Sequence, residues 1–301
     1  LCGELLQRSA PRREPRLAAP GESQPESRRE SAPAIASFPT AATPTFADEW
    51  SSSPRTPWLF LALGALTAPV FSLTPLLGFM GWFLASLIHE MGHAGFAWLC
   101  GMPAFPAISL EGHAAAMHGE QLAPLVAMIG AGLAWGAWQL FNGPVRIAAV
   151  AAVLVLYPAL ALTSAREVLH LLAGHSAELA FAVLALWKTL DGGFTRSTAE
   201  RALYSTVGWF LLGKNAVLCW GLMRSESARA DYMTSGSFGF TNDYLRVAED
   251  IVYWRLESVA LLMLIAALAV LPLAIGLWRI GLRLQRANDP ASLTTTVARA
   301  K

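Results

Sequence analysis

Apolar residues in this chain come in runs of roughly 20, the length a helix needs to cross a hydrocarbon core, and polar stretches separate them. Seven runs fit that template: Trp58–Leu77, Gly81–Gly101, Leu122–Phe141, Pro144–Thr163, Val168–Trp187, Tyr204–Met223 and Leu256–Ile280. The pattern predicts an all-α polytopic membrane protein with about seven transmembrane helices. Pro69 and Pro75 should kink the first run, and the short link to the second makes these two a helical hairpin. Gly130, Gly132 and Gly136 in the third run allow close helix packing. The sixth run is the weakest, because Lys214 and Asn215 interrupt it.

Met102–Gln121 breaks the helical pattern and is too polar to span. Ala107–Leu110 has strand-like character and His113–Met117 can return beside it, so a short irregular or β-hairpin segment is expected near 102–121. Non-helical backbone at membrane depth is tolerated only where protein or a water-filled cavity covers it. A hairpin there could pair with an extended substrate strand; an ordinary exposed loop is the competing reading.

Residues 1–55 are rich in Pro, Ser, Arg, Glu and Ala, which bury too little apolar surface to offset lost chain entropy, so a disordered tail is expected. This stretch has no apolar h-region of the signal-peptide kind. Residues 56–223 then form a membrane-embedded core, 224–254 a polar loop leading into an amphipathic segment, and 255–301 a final helix with a basic tail.

Composition sharpens the class. Hydrophobic residues make up 54% of the chain and charged residues only 14%, with a mean hydropathy of +0.44. A soluble protein carries roughly 25% charged residues. The net charge of +1 says nothing about nucleic acid, and the lack of a basic patch argues against it as a partner. Three cysteines without a C-x-x-C pairing argue against a disulfide framework. Basic residues flank both sides of the spans in similar numbers, so the positive-inside rule assigns no orientation.

The chemistry lies in the second run, which carries His89-Glu90-Met91-Gly92-His93 near its centre. On a helix, H-E-x-x-H sets two imidazoles one turn apart on one face, where they can grip a single Zn²⁺. The intervening glutamate then leans toward the water that the metal activates, as a general base. The run arises by chance in on the order of one chain in a hundred of this length. Its position inside an apolar span makes it more specific, because each ionisable group there needs a partner. An internal hydrogen-bond cluster holding helices together is the plainer alternative.

Catalytic zinc usually takes three protein ligands. The candidates for the third are Glu178 and His175 in Gly174-His175-Ser176-Ala177-Glu178, and Asp191 in Leu190-Asp191-Gly192-Gly193. Depth favours the first pair, since His175 and Glu178 fall mid-span, as do His89 and His93. Asp191 lies roughly 20 Å further along the same helix at 1.5 Å per residue. Glu178 is therefore read as a ligand, with His175 as a ligand or transition-state donor. Gly174 shares a face with Glu178 and would let the metal or another helix come close. A structural hydrogen bond between His175 and Glu178 is the competing reading. His113, His118 and His170 are weaker candidates.

The stretch Ser86–Gly101, SLIHEMGHAGFAWLCG, followed by Met102-Pro103, resembles the site-2-protease family of intramembrane zinc metallopeptidases. His89, Glu90 and His93 match that family's two ligands and general base, and Gly92 and Ala94 match the residues around them. The resemblance implies a helical membrane core that cleaves membrane-anchored protein substrates within or near the lipid bilayer. Leu190-Asp191-Gly192-Gly193 matches the Asp-Gly of the family's second motif, but the Asn and Pro residues before it are missing. That departure leaves room for a divergent branch using Gly174, His175 and Glu178. A gluzincin-type membrane protease acting on soluble or lipid-linked peptides is the nearest enzymatic alternative, and a non-catalytic scaffold or transporter the alternative outside enzymes. An integral, multi-pass protein of a bacterial inner membrane is the default location.

Overall fold

Two prolines break the first apolar run where the sequence expects a kink. In the computed structural model, which describes residues 56–109, 113–193, 195, 197–234 and 242–287, helix α1 spans Thr56–Thr67 and passes into a 3₁₀ turn at Ala68–Ser72. Helix α2 begins at Pro75 and ends at Leu99. The Thr74 hydroxyl caps it by accepting from the Leu77 N–H at 3.2 Å, and Pro75 occupies the first turn, where its missing N–H costs nothing. The chain bends by 110° between Thr56–Phe71 and Pro75–Leu99. The expected tail over 1–55 and the end of the basic tail lie outside the described residues.

After α2 the chain turns at Gly101, whose φ of 76° is left-handed, and enters strand β1, Ala104–Ile108. Strand β2, Ala114–His118, returns antiparallel, with Ala107 opposite Ala115 and Ile108 opposite Ala114. The hairpin expected near 102–121 therefore forms. The Trp98 indole N–H donates to the Ala104 carbonyl at 2.7 Å and fastens it to the end of α2.

Helices α3 (Ala123–Leu140) and α4 (Gly143–Leu162) follow and pack mainly on each other. Then come α5 (Ala165–Asp191), α6 (Thr198–Arg224), α7 (Glu226–Thr234), α8 (Asp243–Arg246) with a π-helical turn over Val247–Ile251, and α9 (Leu256–Ala287). The main core gathers residues from Leu61 to Ala274: α2 packs on α5, α5 on α6, and α9 on both α5 and α6. Close approach of α2 and α5 depends on Gly92, where a Cβ would collide with the Ala173 carbonyl and the Ala177 side chain.

Among the described residues four helices are long and apolar enough to cross a membrane: α3, α4, α5 and α9. Counting the bent α1–α2 pair as one span gives five, against the seven expected. Two physical causes account for the difference. The Pro69–Pro75 break turns the first two runs into one bent unit, and α6 carries Glu200, Arg201, Lys214 and Asn215 along its length. The expected polar loop over 224–254 is also partly a buried element. Tyr244, Leu245, Val247 and Ala248 are buried, with Tyr244 fully enclosed.

Candidate metal centre

The sequence puts His89 and His93 one turn apart, and the fold aims both rings at one point. Their Nε2 atoms lie 3.0 Å apart. A third atom closes the triangle: Oδ2 of Asp243, 3.1 Å from His89 Nε2 and 3.2 Å from His93 Nε2. Asp243 opens α8, far along the chain, and Tyr244 behind it stacks on the His175 ring with centroids 4.4 Å apart. The Asn242 amide donates to the Tyr232 carbonyl, tying this segment to α7.

The opposite edges of the two imidazoles carry the second half of the design. His93 Nδ1 lies 2.7 Å from the His170 carbonyl, an acceptor only, so Nδ1 holds the proton. His89 Nδ1 lies 2.9 Å from Glu178 Oε1. Glu178 is fully buried and also accepts from Lys214 Nζ at 3.1 Å and from Asn215 Nδ2 at 2.7 Å, which favours its ionised form and a proton on His89 Nδ1. With both Nδ1 atoms protonated, neutral rings aim two Nε2 lone pairs and a carboxylate oxygen at one another. Three acceptors at about 3 Å repel unless a cation or an added proton lies among them. A tetrahedral ion with bonds of about 2.0–2.1 Å sets its ligand atoms about 3.3 Å apart, close to these sides.

Space for such an ion is kept by Gly174. A Cβ built there would fall well inside van der Waals contact of both Nε2 atoms. Histidines whose remaining ring nitrogen donates to a carboxylate or a carbonyl are the usual form of metal-binding imidazoles.

Each residue singled out in the sequence has a definite place. His89, Glu90, His93, His175 and Glu178 come together around one cavity or directly behind it. Glu178 and His175 do join His89 in a second set of atoms within 4.8 Å that could hold a metal. There, however, Glu178 already accepts from His89, Lys214 and Asn215, and the Lys214 ammonium opposes a second cation. Glu178 thus meets His89 at Nδ1, and Asp243 Oδ2 is the third atom of the triangle with the two Nε2 atoms. His175 Nδ1 contacts Asn215 Oδ1 at 3.0 Å, extending the chain of bonds His175–Asn215–Glu178–His89.

Asp191 ends α5 at the helix terminus remote from Glu178, where Gly192 adopts φ 66° and the Arg201 guanidinium donates to the Thr189 and Leu190 carbonyls. The Asp-Gly pair thus belongs to a capped helix end. Asp243 does not stand out in the sequence, because it sits in a polar stretch that reads as a loop. Its one signal is an acidic residue after Asn242 at a helix start, a pattern common in any protein.

The cavity holds about 500 Å³ and is lined by Glu90, His93, the whole of β2, Lys214, Asp243 and Arg246 among others. Glu90 is buried and faces the Ala116 backbone N–H of β2. Beyond β1 no strand pairs with β2 among the described residues. The strand and the triad line the same cavity. Searches against family models, curated proteins and solved structures found no match.

Proposed function

We propose that this chain is a membrane-embedded zinc-dependent endopeptidase that cleaves membrane-anchored protein substrates, a divergent relative in chemistry of the site-2-protease family its motif helix resembles. The observation that carries the reading is the triangle of His89 Nε2, His93 Nε2 and Asp243 Oδ2, with both remaining ring nitrogens occupied by acceptors. Two nitrogens and one carboxylate oxygen in a small tetrahedral frame suit Zn²⁺ better than Mg²⁺ or Ca²⁺, which prefer six or more oxygens.

His89, His93 and Asp243 hold the metal in this reading, and Glu178, with Lys214 and Asn215 behind it, fixes the His89 tautomer. Zinc held by these residues would supply Lewis acidity toward a scissile carbonyl and a water. Glu90, against the cavity, takes the proton from that water and hands it to the departing amine. The free edge of β2 offers backbone groups to an unwound stretch of substrate, so a peptide bond is presented in extended form. His175 is one ring away from His89, at 4.5 Å between centroids, and lines the same cavity.

The four long apolar helices and the bent α1–α2 pair support a chain that crosses the membrane several times, and a bacterial inner membrane remains the proposed setting. The test is metal analysis of the purified full chain together with cleavage of a membrane-anchored reporter. About one zinc per chain and chelator-sensitive cleavage support the reading. Protein that folds but binds no zinc overturns it in favour of a hydrogen-bonded scaffold, and a reporter cut only when freed from its membrane anchor favours the gluzincin-type alternative.

A further inference from the structure

The cavity wall on the His93 side carries donors that metal binding does not use. The His170 ring lies 5.2 Å from that of His93 and 5.3 Å from that of His118, between centroids. His170 Nδ1 is buried with no hydrogen-bond partner among the described residues. Arg246 stands one turn after Asp243 on α8, faces the same cavity and lies within electrostatic range of His170. No ion pair or side-chain hydrogen bond involves its guanidinium among the described residues, and the side chain is exposed.

Contrast this with the cavity's other cations and anions. Lys214 is already engaged by Glu178 at 3.1 Å, Asp243 by the two histidines, and Glu90 faces a backbone N–H. Arg246, His118 and His170 thus line the same cavity, and the Arg246 guanidinium has no ion-pair partner among the described residues. A guanidinium is a rigid fork that matches the two oxygens of a carboxylate, and pairing with one in a partly desolvated cavity is stronger than at an open surface. His118 is the last residue of β2, so a peptide laid along that strand would run into this group.

We propose that Arg246, with His118 and His170, forms a carboxylate-binding subsite beside the metal triad, which selects peptides bearing an acidic side chain or a free C-terminal carboxylate near the scissile bond. The proposal rests on the protease reading and names its substrate class. Arg246 acts here as a specificity-determining residue.

The experiment uses the full-length chain, zinc-loaded and reconstituted, with two series of membrane-anchored reporters. One series scans Glu against Gln through the residues flanking the cut, and the other compares a free C-terminus with its amide. Wild-type protein should show a kcat/KM ratio of about tenfold or more for the carboxylate over its amide in one series, which also names the source. Arg246→Ala should bring that ratio to near one, and Arg246→Glu should invert it toward a Lys-bearing reporter. Zinc content of each variant reports folding independently. A ratio near one in the wild type, or one that survives both substitutions, overturns the subsite alone. Zinc-loaded wild-type protein that cuts no reporter overturns the protease reading, and the subsite falls with it.

Discussion

Glu178 reaches His89 from the side away from His93 and Asp243: its Oε1 lies 2.9 Å from Nδ1, while Nε2 of the same ring faces those two side chains. One imidazole therefore joins two carboxylates with different duties. The first carboxylate is dry and locked by Lys214 and Asn215, and orients the ring. The second comes from a short helix outside the long spans and completes the triangle.

That division predicts an order of effects on metal affinity. Asp243→Ala removes a ligand atom and should abolish stoichiometric zinc binding, whereas Glu178→Gln should keep zinc with affinity reduced about 10- to 100-fold, as for other orienting partners of metal-bound histidine. Titration with a competing chelator measures both. Equal loss in the two variants would mean that Glu178 is itself a ligand.

Gly174→Ala tests the space rather than the ligands. The added methyl would press on both Nε2 atoms, so zinc content and cleavage should fall by about 100-fold or more while helix content by circular dichroism is kept. Gly132→Ala, with open space around it, is the matched control and should behave as wild type.

Glu90→Gln should retain zinc and lower reporter cleavage by about 10²–10⁴-fold, the usual contribution of a positioned general base. The variant must be compared at matched zinc content. Full activity would move the proton transfer to another group.

Lys214→Met leaves the buried Glu178 carboxylate without its cation. Because the Lys214 side chain is partly exposed, the destabilisation should be about 1–2 kcal/mol, less than for a fully buried pair. Asn215→Ala should cost about 1–3 kcal/mol, since the buried Glu178 Oε2 and His175 Nδ1 both lose a partner. Thermal unfolding in detergent, monitored with and without zinc, reads both values. Asp191→Asn, at the far end of α5, should leave zinc binding unchanged.

Sequence alone determined what depends on spacing along one element. The two histidines share a helix face because four residues make about one turn, and Gly174 with Glu178 shares another for the same reason. Apolar runs gave the long helices, proline positions gave the break before α2, and the broken pattern at 102–121 gave the hairpin. Which carboxylate meets Nε2 of His89 depends instead on how α2, α5, α6 and α8 pack, and no local pattern encodes that contact. Depth counted along the chain brought Glu178 to the right level, yet it could not say which edge of the imidazole Glu178 would face. Asp243 arrives from 154 residues away through a segment whose polar letters resemble any loop. Only the tertiary structure brings it there, where the neighbouring Tyr244 is buried against His175.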